Sequence, residues 1–508
     1  GSSDLYSYHN NRWIKEDNKR GILKVKVSID LGKFYEEVER DISNNISMIK
    51  LMENATNLDK GECDSLEKSR NEVYKIKMLL SRTNSLSSIA DSVGNMLACK
   101  NYEDVEFDNN GYLFAFRNKV FDLKTMNFVE TNKEDYILTG CGYDYEEADD
   151  DSVTELKHLF AQVFPDPDIR DYYLHMLATC MYGIPIEHFF LANGGGGNGK
   201  GVINELMEEL LGNYAFTAPN SVLLQPLKLG NCPEVAGMKN KRMVIYREPD
   251  SESKKICFAT VKELTGGKKI NARMNYSNDT NTTLCATHVL ECNKRPKLDG
   301  RLDESVVRRV RDIPFVSTFT DNPDLLEKAD ILENIYKADK RYKQDSFRSK
   351  FKFALFKLLS EYIHEFHKTH GVGVCDKFDT PSVINERSKE YIKSSDEIRE
   401  WFDSVYEPID TRNKTKLTIL QEELYVSIGD VFTQFKQSDY YLNLSKENKR
   451  MMNKKYLIEY CSTNINFKIY YSDLLKSENM IKRNVLIGFC KRKEEEDEEN
   501  EEEYCEGI

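Results

Sequence analysis

No run of 18 apolar residues interrupts this 508-residue sequence, which leaves no segment able to cross a bilayer as a helix. Nothing after the opening "GSS" has the apolar core of a secretory signal; residues 1–3 read as an expression scar, and the natural start is expected to lie upstream. The sequence also lacks any CxxC pair. Its 12 cysteines are scattered, and the two nearest each other, Cys285 and Cys292, fall around one apolar segment. That excludes a disulfide framework and reads as reduced core thiols of an intracellular protein. "HEFHKTH" places His364, His367 and His370 at i, i+3 and i+6, without the HExxH spacing of a zinc helix or a nearby cysteine or carboxylate set, so no metal site is expected there. No internal repeat is present.

A net charge of −13 argues against a nucleic-acid partner until it is divided along the chain. Residues 494–508 hold ten acids and no base, so the rest of the chain is nearly neutral. Such a run repels itself and buries nothing, and it is expected to be a disordered, solvating tail; a tail that binds a partner or mimics DNA is the alternative.

What is present is a change of hydrophobic period. Residues 33–100 repeat apolar positions at helical spacing (Phe34, Val38, Ile42; Val73, Ile76, Leu80; Ile89, Val93), within a region, 4–100, expected to be helical. Residues 101–150 shorten to a β-rich pattern around "GYLFAFRNKVFDLKTMNFVE". Helices are expected near 153–164 and 169–182. Strand and helix then alternate: strand 189–191, helix 202–211 ended by Gly212, strand 243–246, helix 256–264, strand 288–291. This alternation predicts an α/β core, a largely parallel sheet with helices on it. A further helix is expected at 347–369 and mixed structure at 415–493.

The chemistry concentrates in four stretches. Gly194, Gly195, Gly196, Gly197, Asn198, Gly199 and Lys200, followed by Gly201 and Val202, satisfy GxxxxGK between a strand and a helix. Glycines admit phosphate oxygens to backbone N–H groups, and Lys200 reaches the β- and γ-phosphates. Gly201 stands where a hydroxyl normally holds Mg²⁺, so the carboxylate side must matter more. That side is "NKRMVIYREPD", an apolar strand followed by Arg247, Glu248 and Asp250. Glu248 is the candidate for polarising water or holding Mg²⁺, directly or through water, and its division of labour with Asp250 stays open. "THVLECNKRP" ends a strand in Asn293, an amide able to orient water at the γ-phosphate or to cap a turn. "DESVVRRVRDIPF" offers Arg308 and Arg309 as a finger reaching a neighbouring subunit's phosphates, with surface salt bridging as the alternative.

In order and spacing these four stretches resemble the superfamily 3 helicases, AAA+ ATPases of DNA viruses. The resemblance implies that "VKELTGGKKINARMNYSNDTNTT" carries a hairpin gripping DNA, for which Lys268, Lys269 and Arg273 supply charge and Tyr276 a stacking face. "FAFRNKVFDLKTMNFVETNKEDYI" and "NMIKRNVLIGFCKRK" look like the segments flanking the core in the poxvirus primase-helicase family. That family implies a helical collar at 4–100, a small β-rich domain at 101–150, a helicase core at 151–345, a helical lid or linker at 346–410 and a winged-helix-like domain at 411–493. It further implies ATP or another NTP with Mg²⁺, single-stranded or forked DNA, a homo-hexamer, an N-terminal primase domain, the viral polymerase complex as partner, and cytoplasmic viral replication sites. Two rivals remain: an AAA+ ATPase of another class, such as a packaging motor or protein remodeller, and a nucleic-acid-binding scaffold with weak ATPase, suggested by Gly201 and Arg247.

Overall fold

Five short strands pair in parallel at the centre of the computed structural model: β1 (Phe189–Asn193), β2 (Ala215–Ala218), β3 (Met243–Tyr246), β4 (Thr287–Cys292) and β5 (Val310–Pro314). Their order is β5-β1-β4-β3-β2. The structure describes residues 5–492 apart from 18–19, 52–56, 101–104, 228–229, 248–254, 268, 274–280, 300–303, 328–333, 375–378, 412, 444–445, 464–470 and 478–479. Alternation along the strands divides the interior in two. Phe190, Ala192, Ile245, Val289 and Ile313 face helices Asp150–Val163, Pro167–Thr179, Lys200–Leu211 and Asp345–His370. Phe189, Leu191, Val244, Tyr246, Leu290 and Val310 face helices Phe258–Leu264 and Ser382–Ser394. Burial on both faces is why the inner strands read as unbroken apolar runs.

Local signals set the helix ends. Asp149 caps helix Asp150–Val163 through Ser152 N, and Asp166 caps the next by accepting from Asp168 N at 2.9 Å, with Pro167 in the first turn. The expected helix over 256–264 begins with a strand instead. Ile256–Cys257 pairs in parallel with Leu298–Asp299, anchored by Ile256 N donating to Lys297 O at 2.8 Å, and only Phe258–Leu264 is helical.

Among the described residues of 32–100 the helices are Gly32–Lys50, Asn57–Leu80 and Thr83–Lys100. The region 4–100 is not helical throughout: Tyr6–His9 and Arg12–Lys15 pair antiparallel across Asn10 and Asn11, both at positive φ, as a two-residue hairpin turn requires. That hairpin docks on the meander region through Trp13, whose backbone N–H donates to Ile137 O and whose Nε1 donates to Lys133 O at 2.8 Å.

The β-rich segment is a three-stranded antiparallel meander, Leu113–Ala115, Val120–Asp122 and Asn127–Val129. One face of it joins the main core through Phe114, Phe116, Phe121 and Leu123, and the other holds a small cluster of its own, Leu113, Ala115, Val120 and Ile137. Phe356 of helix Asp345–His370 lies 5.1 Å from Phe116 and 5.2 Å from Phe121, ring centre to ring centre. Arg242 donates to the carbonyls of Leu113 and Met181, with its guanidinium 4.0 Å over Tyr214, a buried cation that locks the meander onto the sheet.

Towards the C-terminus, Tyr406–Pro408 pairs antiparallel with Phe489–Lys491, and Ile398, Phe402 and Tyr406 share a core with Ile428, Val431, Phe435, Leu486 and Phe489. The C-terminal unit therefore draws in helix Glu397–Val405, ahead of the expected boundary at 411. Its other sheet orders Tyr425–Ser427, Met480–Ile487 and Tyr471–Ser477. Helix Ser382–Ser394 covers the β5 edge. Ser388 Oγ accepts from Asp312 N at 2.9 Å, and the fully buried Asp312 carboxylate is paired with Arg295 at 2.7 Å and Arg387 at 3.3 Å. A buried carboxylate without cations would cost several kcal/mol, so the two arginines fix this helix to the sheet. Among the described residues no helix is long and apolar enough to cross a membrane.

Candidate phosphate-binding site

The glycine-rich loop turns over the C-terminal end of β1 into helix Lys200–Leu211. Two of its glycines are dictated by neighbours. A Cβ on Gly194 would lie 2.4 Å from the Phe315 carbonyl oxygen, and Gly199 has φ +90° with a would-be Cβ 2.8 Å from Val163. Gly195 and Gly196 are exposed with nothing within 4 Å of a would-be Cβ, which leaves room for oxygens to approach the backbone. Asn198 is buried and its Oδ1 accepts from Lys200 N at 3.4 Å. Val202 packs against the core, while Gly201 is exposed with open space around it.

Lys200 folds over the loop. Its Nζ donates to the carbonyl oxygens of Gly194 and Gly195, the latter at 3.2 Å, and to Asn293 Oδ1 at 3.2 Å. Strand register explains the meeting of residues so far apart in sequence: Cys292 pairs with Asn193, and Gly194 N donates to Cys292 O at 3.2 Å, so Asn293 stands level with the first loop glycine. An ammonium and an amide thus converge where the loop opens.

The same register presents a carboxylate that motif reading missed. Glu291, two residues before Asn293 and on the same strand face, accepts from Asn204, which lies one turn beyond Lys200. Period-two alternation in "LECN" is the signal that could have found it. Arg247, which stands where a second acid is usual, pairs with Glu208 of the loop's helix at 3.2 Å and is thereby turned to that helix. Glu248 and Asp250 lie outside the described residues.

Burial separates the two candidate finger arginines. Arg309 has a 10% exposed side chain fixed in its own chain: Nη2 to Glu187 at 2.7 Å, Nε to Thr265 Oγ1 at 3.2 Å and Nη1 to Ser305 O at 3.1 Å. Arg309 is thus held as a strut within its own chain, with Nε, Nη1 and Nη2 each engaged there. Arg308 is 61% exposed and, among the described residues, pairs with the same Glu187 at 2.9 Å. Helix Glu304–Arg309 precedes β5, and Val310 pairs with Phe189 while Pro314 pairs with Asn193. Arg308 therefore sits at the opposite end of the strands from the loop, at least about 13 Å away at 3.3 Å per residue. It cannot serve the site of its own chain.

Strands Lys269–Arg273 and Asn281–Thr283 form an antiparallel hairpin that also pairs with Gly230–Asn231. Lys269 is exposed on it and Arg273 ends its first strand. Lys268 and Tyr276 lie outside the described residues. Thr265, which Arg309 holds, precedes the hairpin, so helix Glu304–Arg309 and the hairpin root share one hydrogen bond. His288, on β4, is no part of the site; burial pushes its imidazole down to about 4, and it stays neutral against the Tyr246 hydroxyl at 3.1 Å. His367 of "HEFHKTH" bonds the Gly373 carbonyl oxygen at 2.9 Å and His370 stacks on Phe366.

A glycine-rich loop and lysine at the end of the first strand of a β5-β1-β4-β3-β2 parallel sheet define a P-loop α/β protein. Residues 3–165 match the family described as "D5 N terminal like", and residues 192–309 match a family of unknown function, DUF5906. The chain is 28% identical over 315 residues to "Putative helicase L207/L206" of Acanthamoeba polyphaga mimivirus, covering 60% of this chain and 32% of that protein. It is 27% identical over 280 residues to "Primase D5" of Fowlpox virus, covering 52% of this chain and 35% of that one. "Uncoating factor OPG117" of Vaccinia virus matches at 25% over 298 residues, covering 56% and 37%. The chain carries a D5 N terminal like segment and is homologous to these proteins of poxviruses and other large DNA viruses, as the resemblance to the primase-helicase family implied. It spans about a third of the length of the relatives it matches. Among solved structures the apo C-terminal region of NrS-1 aligns at a TM-score of 0.40 and 12% identity, covering 79% of this chain and 90% of that one.

Proposed function

We propose that this chain is the motor part of a viral DNA helicase, an AAA+ nucleoside triphosphatase that hydrolyses ATP between subunits of a hexameric ring and moves a hairpin along single-stranded DNA. The observation that carries the reading is the convergence of Lys200 Nζ and Asn293 Oδ1, 3.2 Å apart, at the mouth of the P-loop. The names borne by the relatives, helicase and primase, support DNA as the partner.

In this reading the loop N–H groups bind the triphosphate, and Lys200 exchanges its carbonyl partners for β- and γ-oxygens. Asn293 orients the attacking water without adding charge at the γ-phosphate. Glu248 polarises that water or, directly or through water, holds Mg²⁺, which neutralises charge on the phosphate oxygens when bound. Arg308 leaves Glu187 and completes the neighbour's site. The bond from Arg309 to Thr265 then passes the movement of the finger helix to the hairpin root.

Gly201 gives a test of the Mg²⁺ side. A serine Cβ there meets nothing within 4 Å, so Gly201→Ser restores a hydroxyl without disturbing the loop. Turnover is expected to reach half its maximum at lower Mg²⁺; collapse of turnover in the folded variant would mean that the hydrogen at Gly201 is needed for backbone approach.

The hairpin tests the DNA side. Affinity for single-stranded DNA should fall with salt, with a log–log slope of roughly −0.7 for each phosphate neutralised. Alanine at Lys268, Lys269 and Arg273 together should flatten that slope and remove stimulation by DNA while basal turnover persists. Binding that ignores salt, or basal turnover lost with the three bases, contradicts the assignment.

A further inference from the structure

Topology decides on which side of the loop the rest of a nucleotide must lie. Asn293 follows β4, on one flank of β1, and the chain leaving β5 runs along the other flank. If the terminal phosphate sits at Asn293 and Lys200, a triphosphate stretched across the loop delivers its nucleoside to the β5 side.

That side is built closely against the loop. Phe315 N donates to Asn193 O at 2.8 Å and Phe319 N donates to Gly197 O at 2.7 Å. The Phe319 ring edge comes within 3.6 Å of where a Gly199 Cβ would be. Phe319 lies in strand Thr318–Thr320, which pairs in parallel with Ile335–Lys337, and its direct partner is Tyr336. Registered neighbours project to the same face, so the two rings stack, 5.5 Å between centres and 28° between planes. Both residues are half-buried. The main chain therefore pins an aromatic pair to the phosphate loop and leaves part of it in water, where apolar rings gain nothing unless something covers them.

We propose that Phe319 and Tyr336 form a stacking platform for the nucleobase of the bound nucleotide. The proposal rests on the reading of the loop as a triphosphate site and names how that site takes the base. Stacking uses the π-face that every base has and is blind to the pattern of amino and keto groups at the base edge. The platform accordingly accepts nucleotides generally, purines ahead of pyrimidines by ring area, with ATP and GTP alike.

Dissociation constants of ATP, GTP, CTP and inorganic tripolyphosphate, measured by calorimetry on the chain and its variants, test this. The parent should bind ATP and GTP similarly, CTP more weakly and tripolyphosphate most weakly. Phe319→Leu should weaken ATP and GTP roughly tenfold, within the range of one base–aromatic stack, and leave tripolyphosphate unchanged. Phe319→Tyr should restore affinity. Because Phe319 also packs on the core, Tyr336→Leu is the second variant, with a smaller loss in the same direction and no effect on tripolyphosphate. Equal loss of ATP and tripolyphosphate in Phe319→Leu makes the ring a brace for Gly199 and overturns the proposal, as do ATP affinities untouched by both leucine variants. A parent that binds tripolyphosphate as tightly as ATP overturns the base platform alone. A parent that binds neither overturns the phosphate site beneath it, and the platform with it.

Discussion

Lys200→Ala is expected to abolish nucleoside triphosphate turnover, by at least about a thousandfold, because it removes the cation that offsets charge on the β- and γ-oxygens as phosphoryl transfer proceeds. The structural cost should be small by comparison. The side chain is largely buried, but its ammonium touches loop carbonyls and an amide at the mouth of the site. Water can replace those bonds, so the loss of stability is about 1 kcal/mol. Thermal unfolding and turnover measured on the same preparation separate the two effects. A variant that melts close to the parent and hydrolyses nothing fits the assignment; one that melts like the parent and still turns over refutes it.

Arg308 gives the second large effect, and its position makes the experiment specific to a ring. It projects from the end of the strands opposite the P-loop and, among the described residues, is paired with the half-exposed Glu187. Arg308→Ala subunits should keep nucleotide affinity yet lose about 10³ to 10⁵ in rate, the range that arginine fingers supply. Mixed with Lys200→Ala subunits, which still offer an intact Arg308, they should regain part of the activity at interfaces pairing a working lysine with a working arginine. Arg309→Ala should not complement in this way. Its loss removes the strut to Thr265, Ser305 and Glu187 and should appear as lowered thermal stability. No recovery from any mixture, in preparations whose subunits exchange, would place the finger elsewhere.

Much of the core was legible because its signals are local. Apolar runs such as "MVIY" and "HVLEC" are short and contain β-branched residues, which favours buried strands over helix, and GxxxxGK needs its glycines where Phe315 and Val163 crowd the loop. What the sequence withheld depends on partners distant along the chain. Arg308 and Arg309 are neighbours of one type, and only Glu187 and Thr265 make one exposed and the other fixed. Phe319 and Tyr336 become a pair through the register of two three-residue strands too short to give a period. The hairpin at 6–15 was hidden in a region whose later helical repeat dominated, although Asn10-Asn11 between aromatic residues was a usable turn signal. The C-terminal boundary moved because Phe402 and Tyr406 pack against Phe489, far ahead in sequence. The D5 N terminal like match covers 3–165, including the first hundred residues, where motifs were fewest and periodicity alone gave the helices.

The central claim is that nucleotide hydrolysis at the P-loop is coupled to DNA. ATP turnover measured with and without single-stranded DNA, at one ionic strength and with Lys200→Ala as the blank, tests it most directly. The account predicts basal turnover that rises on adding DNA and disappears in the blank. Turnover that DNA leaves unchanged would contradict it and favour a motor of another class; absence of turnover in the parent would leave a binding scaffold.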